Sequence, residues 1–367
     1  MTKTQARVSA REVTSVEKQL RAEGYPPSET RLRTSPLSST ITTPISTTIL
    51  PPPAPRSTYI YHVSNSPSAL TIPHALVPTD NDFQSRARRF QSLWRERQEL
   101  PIGGHRGRPL GSRLAMPSAQ KQLTNYLTDT IRAVVRREVL DPKRSRGKLF
   151  SKPRIFNDLL SSQSLCFNLF AELQQDLPLA SRVFSRLSLG RIDQVIAIGF
   201  QYSPGRGLVQ YTADRSAFDV FVEYLTESGE NGFAGVEVKY HESLDEKAVL
   251  HRDRYGEIAR AMGCFDPAAI ERLKQKPLQQ IWRNHLLAGS LRLDQTSGYA
   301  DGFFAFVYPE QNECCERAVN RYAACLTDRS TFARWTIEMV VAAIKTEGAG
   351  DWIDAFSDRY LGFDDLE

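Results

Sequence analysis

The chain has 367 residues and carries 47 Lys and Arg against 42 Asp and Glu, a net charge of +5. That length allows one large domain with extensions or two modest ones, and so mild a balance excludes any argument about partners from overall charge. Five cysteines without zinc-type pairing argue against a disulfide framework and for a reduced, cytoplasmic chain; the lack of a basic-then-apolar leader or of an apolar run of about eighteen residues leads us to expect neither general secretion nor a membrane span.

Residues 8–23 fit a short amphipathic helix, and 29–78 are rich in Ser, Thr and Pro, with Pro51, Pro52 and Pro53 in succession. We therefore expect a disordered or extended arm over 1–80. An Arg-rich helix is expected over 83–97, after which Gly103, Gly104, Gly107 and Gly111 interrupt the pattern. A second helix is expected over 118–140, where Leu123, Leu127, Ile131, Val134 and Val135 recur near helical spacing. A basic loop, 141–154, closes a separate basic helical region, 81–154. Between 82 and 154 there are eighteen Lys and Arg against six Asp and Glu, which suits a polyanion-facing segment or a solvated linker equally well.

The third region, 155–367, alternates helix and strand. A long helix is expected over 155–176, and a short one after Pro178 that ends near Gly190. Strands follow over 194–202, 217–225 and 233–240, the second with Phe218, Val220, Val222 and Tyr224 at alternate positions. A helical stretch comes next, strongest over 267–291, then a strand over 302–308 and helices over 314–326 and 331–346. The core order is thus αβββαβ.

Residues 226–232 have the composition of a turn, so the strands on either side form a hairpin. A centre near Ser228 makes Asp219 and Glu237 cross-strand neighbours. A shift of one residue would break that pairing. Glu237 and Lys239, two apart on one strand, share a face regardless, while Val236 and Val238 point the other way. Two carboxylates converging in an apolar sheet need a compensating cation, and Mg²⁺ with oxygen ligands suits them. The triplets Asp141-Pro142-Lys143 and Asp245-Glu246-Lys247 share the carboxylate-x-Lys spacing but lie on no apolar strand.

This hairpin resembles the metal-binding core of the PD-(D/E)xK nuclease superfamily. More narrowly, Phe156-Asn157-Asp158-Leu159-Leu160-Ser161-Ser162-Gln163 with Asn168, then Asp214-Arg215-Ser216-Ala217-Phe218-Asp219 and Gly235-Val236-Glu237-Val238-Lys239-Tyr240-His241-Glu242, resemble a bacterial group assigned as restriction endonucleases. Phe218 stands where the superfamily's nominal motif has proline. The resemblance implies an α/β fold of the α+β mixed-sheet kind, with a restriction-endonuclease-like αβββαβ core and added amino- and carboxyl-terminal helices. It also implies Mg²⁺-dependent cleavage of DNA, with Mn²⁺ as a substitute and a homodimer as one possible assembly. The implied catalytic residues are Asp219, Glu237 and Lys239, joined by Glu172 on the first core helix. Asp219, Glu237 and Val238 are the implied metal ligands.

Several polar residues are candidates for nucleic-acid contact: Gln163 and Asn168 in a polar stripe with Asn157, Ser161 and Ser162, then Gln280 and Arg283, and in the basic loop Arg144, Arg146 and Lys148. Capping at Ser161 or Ser162 and a solvated helix face explain the stripe as well. His285 near Gln280 is a weaker candidate for a base, and His241 and Glu242 either line the cleft or end the strand. The expected function is a DNA endonuclease of restriction or anti-phage defence. A non-cleaving nucleic-acid-binding subunit of the same fold, or a delivered nuclease toxin that uses the arm for export, are the alternatives.

Overall fold

The computed structural model describes residues 74–363, so the helix expected over 8–23 and nearly all of the arm lie outside the described residues. The labelled elements are α1 (Asp82–Arg97), β1 (Ile102–His105), β2 (Arg108–Leu114), α2 (Asp129–Val135), α3 (Ser162–Gln175), α4 (Leu177–Leu187), β3 (Gln194–Tyr202), β4 (Phe218–Leu225) and β5 (Asn231–Val238), followed by α5 (Asp253–Met262), α6 (Leu278–Leu293), β6 (Asp301–Tyr308), α7 (Glu313–Ala323), β7 (Phe332–Thr336), α8 (Ile337–Thr346) and α9 (Trp352–Tyr360).

The order αβββαβ expected from the sequence is present as α3, β3, β4, β5, α6 and β6, with the short helices between. The central sheet runs β3-β4-β5-β6-β7. Its first three strands are antiparallel neighbours, whereas β5, β6 and β7 are parallel. Alternation along each strand divides the side chains between two faces. On one face Val220, Val222, Ala234, Val236, Val238, Phe303, Ala305 and Val307 pack with apolar residues of α3, α4 and α8. On the other, Phe221, Phe233, Phe304 and Phe306 pack with α5, α6 and α7. Both faces are covered, which is why the strands read as almost unbroken apolar runs.

The sequence expectations fail in four places. The segment after α1 is a β-hairpin, β1 with β2, whose turn Arg106-Gly107 has positive φ at both residues, as a type I′ turn requires. The helix expected over 118–140 is broken: Leu123 ends a short helix, Ser118–Gln122, in the left-handed region, and Thr128 caps α2 through the Ile131 amide. The helix expected over 155–176 is interrupted where the Asp158 carboxylate pairs with Arg113 at 2.8 Å and accepts from the Leu160 amide. Residues 332–336 form an added parallel strand rather than the start of a helix, and Thr336 caps α8.

The expected boundary at 154/155 does not separate two cores. Phe83, Ala87 and Phe90 of α1 and Ile131, Val134 and Val135 of α2 belong to the same apolar cluster as Val236 and Val238. Arg359 of α9 is fully buried, donates to both the main-chain and side-chain oxygens of Asn125, and lies 4.1 Å above the Trp94 ring. The basic region is therefore part of the body. No helix among the described residues is long and apolar enough to cross a membrane, and the five cysteines are free.

Candidate active site

The pairing of β4 with β5 runs Val220 with Val236 and Phe221 with Gly235, which continues to Asp219 with Glu237 and centres the hairpin on Ser228. On the other side, Phe200 pairs with Val220 and Tyr202 with Phe218, so Gln201 stands beside Asp219. Gln201, Asp219 and Glu237 thus form one row across three strands, on the face covered by α6. Gly235 sits next to Glu237 along that face because a Cβ there would meet the Phe218 ring at 2.4 Å.

Each carboxylate is held by named donors. Asp219 Oδ1 accepts from Gln201 Nε2 at 2.8 Å, and Oδ2 accepts from the Val238 amide at 3.0 Å. Glu237 Oε1 accepts from Lys239 Nζ at 2.7 Å and from Gln280 Nε2 at 3.0 Å, while Oε2 accepts from Asn284 Nδ2 at 2.8 Å. Glu237 and Lys239 are only 6% and 7% exposed, so these bonds form where water competes poorly. Gln201 is held at φ 53°, a left-handed conformation costing about 1–3 kcal/mol in a non-glycine residue and common at functional sites.

Burial, and next the charge of Glu237, push the Asp219 carboxyl well above its ordinary range. Burial works against the Lys239 ammonium, but Glu237, Glu242 and Asp219 together keep its pKa above that of a free lysine. Lys239 is therefore a proton donor in this arrangement, which favours orienting a water or a phosphate oxygen over deprotonating a water. Burial also opposes ionisation of Glu242, yet His241, Lys239 and hydrogen bonds from the Ser162 hydroxyl and the Tyr240 amide hold it low. The buried Glu237 and the half-buried Asp219 and Glu242 thus face one lysine.

Carboxylates crowded so closely that Asp219 resists ionisation, in an all-oxygen donor set, fit a hard divalent cation that would favour their charged forms. Among the described residues no group of three His, Cys, Asp or Glu is arranged to hold a metal ion. Asp219 and Glu237 would supply the side-chain ligands; Val238, whose side chain is fully buried in the opposite core, could offer only its carbonyl oxygen. So incomplete a protein set suits Mg²⁺, which keeps several of its waters.

Glu172 does not join this group. It lies on α3, which packs against the other face of the sheet, and it accepts from the Thr128 hydroxyl that caps α2. Asn168 is fully buried: its Oδ1 accepts from the Leu127 amide and its Nδ2 donates to the Asn125 carbonyl and the Tyr360 hydroxyl. It ties helices together and has no surface for a nucleic acid. Gln163 pins the basic loop, accepting from the Ser151 amide and donating to the Leu149 carbonyl. Arg283 is committed to Asp214, at 2.9 and 3.0 Å, and to the Ser216 hydroxyl, so it clamps the segment before β4 rather than standing ready for phosphate. His285 is buried between Tyr322 and Thr331, its imidazole pushed down to about 3 by burial, and cannot serve as a base at the site.

Gln280 does reach the site, and Asn284, one helical turn later, was missed although the i, i+4 spacing was readable. Gln201 was also missed, because the irregularity between Val195 and Ala197 hides the β3 register. Arg144, Arg146 and Lys148 line a cavity of about 280 Å³ together with Lys143, Arg206 and Gln201, whose amide reaches Asp219.

A family model described as the PD-(D/E)XK nuclease superfamily matches residues 78–362, well over half of the chain. The chain belongs to the PD-(D/E)XK nuclease superfamily, and its mixed sheet with helices on both faces is consistent with the restriction-endonuclease-like fold. The match begins before α1, as expected if the basic region is part of the body. Neither a curated protein nor a solved structure matches the chain.

Proposed function

We propose that this nuclease is an Mg²⁺-dependent endonuclease that hydrolyses DNA, acting in restriction or anti-phage defence. The observation that carries the reading is the convergence of Asp219, Glu237 and Lys239 on one sheet face, with every oxygen of the two carboxylates fixed by a neighbouring donor. A divalent ion bound there would acidify a water and offset the charge that develops on the phosphodiester. Gln201 and the Val238 amide orient Asp219; Gln280 and Asn284 orient Glu237. Lys239 offers a proton and a positive charge toward the reacting oxygens, as a preorganised donor in a buried site should. The cationic cavity beside Gln201 supports a polyanionic substrate, and binding should weaken steeply with salt.

The test incubates purified protein with plasmid, linear DNA and RNA in Mg²⁺, Mn²⁺ or EDTA, beside Asp219→Ala and Lys239→Ala. DNA cleavage that needs the metal and falls by about 10²–10³ or more in both variants is expected. Equal cleavage by all three proteins would remove the site assignment, and cleavage confined to RNA would overturn the substrate.

A further inference from the structure

The cavity beside Gln201 differs from a groove that merely tracks a backbone. Its lining holds Lys143, Arg144, Arg146, Lys148 and Arg206 and no Asp or Glu. Lys148 pairs with Glu138 outside the lining, and Arg206 donates to the carbonyls of Arg215 and Gln201, which fixes both cations in place. Ser203, also in the lining, has a buried hydroxyl with no hydrogen-bond partner. A buried polar group left unsatisfied is costly and points to a missing partner. At about 280 Å³ the space lies just below the range of ligand pockets, roughly 300–1,000 Å³, which suits a single phosphate group with part of its nucleotide rather than a length of strand.

We propose that this cavity takes the terminal phosphate monoester of a nucleic-acid strand, placing a strand end one side chain away from Asp219. A phosphate monoester carries about −1.5 to −2 charge at neutral pH, against −1 for a backbone diester, and a lining of cations without acids matches the larger charge. Its oxygens accept from Ser203 and the guanidinium groups, so the orphaned hydroxyl gains its partner. Gln201 belongs both to the lining and to the hydrogen bonds of Asp219, so occupancy of the cavity and the setting of the carboxylate are linked. The inference rests on the nuclease reading for its biological sense but not for its test.

The test uses full-length Lys239→Ala protein in EDTA and one labelled oligonucleotide ending in a 5′-phosphate, a 3′-phosphate or hydroxyls alone. One of the two phosphorylated forms should bind about tenfold more tightly than the hydroxyl-ended form, which also identifies the end. That advantage should vanish on adding Ser203→Ala or Arg206→Ala. Ser203→Ala should melt no lower than its parent, because it removes an unsatisfied group, so its loss of binding cannot be assigned to unfolding. Equal affinity for all three ends, or a preference that survives both substitutions, overturns the proposal. If the preference is found while wild-type protein cuts no nucleic acid, the cavity assignment stands and the nuclease reading falls. If wild-type protein cuts closed circular and linear DNA alike and the three ends bind equally, the nuclease reading stands and the cavity assignment falls.

Discussion

Helix α3 lays Leu165, Phe167, Leu169 and Phe170 against the sheet face built from Val220, Val222, Val236 and Val238, while α6 lays Gln280 and Asn284 against Glu237 on the other. Both helices are largely buried, and both carry polar residues. On α3 the two in mid-helix are spent on the scaffold, Asn168 joining Leu127, Asn125 and Tyr360 and Glu172 holding the cap of α2, while Ser162 at its start holds Glu242. On α6 they surround a carboxylate that would otherwise be buried with Lys239 alone. The contrast shows that strand parity selects the reactive face, and that a glutamate on a core helix matters to the site only if its helix covers that face.

Substitutions on the two faces should therefore separate stability from chemistry. The largest stability effect belongs to the apolar face. Phe167 is 1% exposed and stacks on Phe200 with ring centroids 4.2 Å apart, so Phe167→Ala should lower the unfolding free energy by about 3–5 kcal/mol. Denaturant titration measures this, and protein that remains folded should keep its rate of cleavage. A rate that collapses with no loss of stability would break the division between faces.

The next effect is on the clamp before β4. Asp214 is held down to about 2, although its burial alone would raise it, because Tyr255 and Arg283 bind its ionised form. Its folded pKa lies below the unfolded one, so the stabilisation is complete above the ordinary carboxylate range and is lost as pH falls toward about 2. Asp214→Asn should cost on the order of 2 kcal/mol at neutral pH. In paired unfolding curves the difference from wild type should shrink as the solution is acidified below about pH 4; a constant difference would mean that the clamp does not act through its charge.

Smaller again is the expected effect of Asn284→Ala, which frees one oxygen of Glu237. It should weaken metal binding or activity by about tenfold, the low end of what groups orienting a metal-bound carboxylate contribute. Calorimetry with Mg²⁺ checks it, and unchanged affinity would leave Asn284 as packing alone.

Much of this was readable in the residues. The strand over 194–202 appears with those bounds, and β4, β5 and β6 begin or end within two residues of expectation, because aromatic and β-branched residues run through them between turn signals. The centre at Ser228 was legible only to within one residue: the turn composition over 226–232 centres on Gly229, whereas Leu225 pairs with Asn231 and so centres the hairpin on Ser228. The β1–β2 hairpin escaped detection because its glycines and arginines have no strand preference and its turn puts Arg106 at positive φ. Strand β7 was masked by Phe332 and Trp335 running straight into the apolar period of α8. Glu172 could not be assigned from its own helix: which face α3 covers depends on the crossing of the chain from α4 into β3, a tertiary fact with no local signature.

The contacts of Glu237 with Gln280 and Asn284 make the face beneath α6 the reactive one. The decisive comparison is the initial rate of plasmid cleavage at saturating Mg²⁺ for Glu237→Gln and Glu172→Gln, side by side with wild type. Glu237→Gln should lose about 10²–10³ or more, and Glu172→Gln, which keeps an acceptor for Thr128, should change within about twofold. A loss of that size in Glu172→Gln with near-normal cleavage by Glu237→Gln would contradict that assignment of the face.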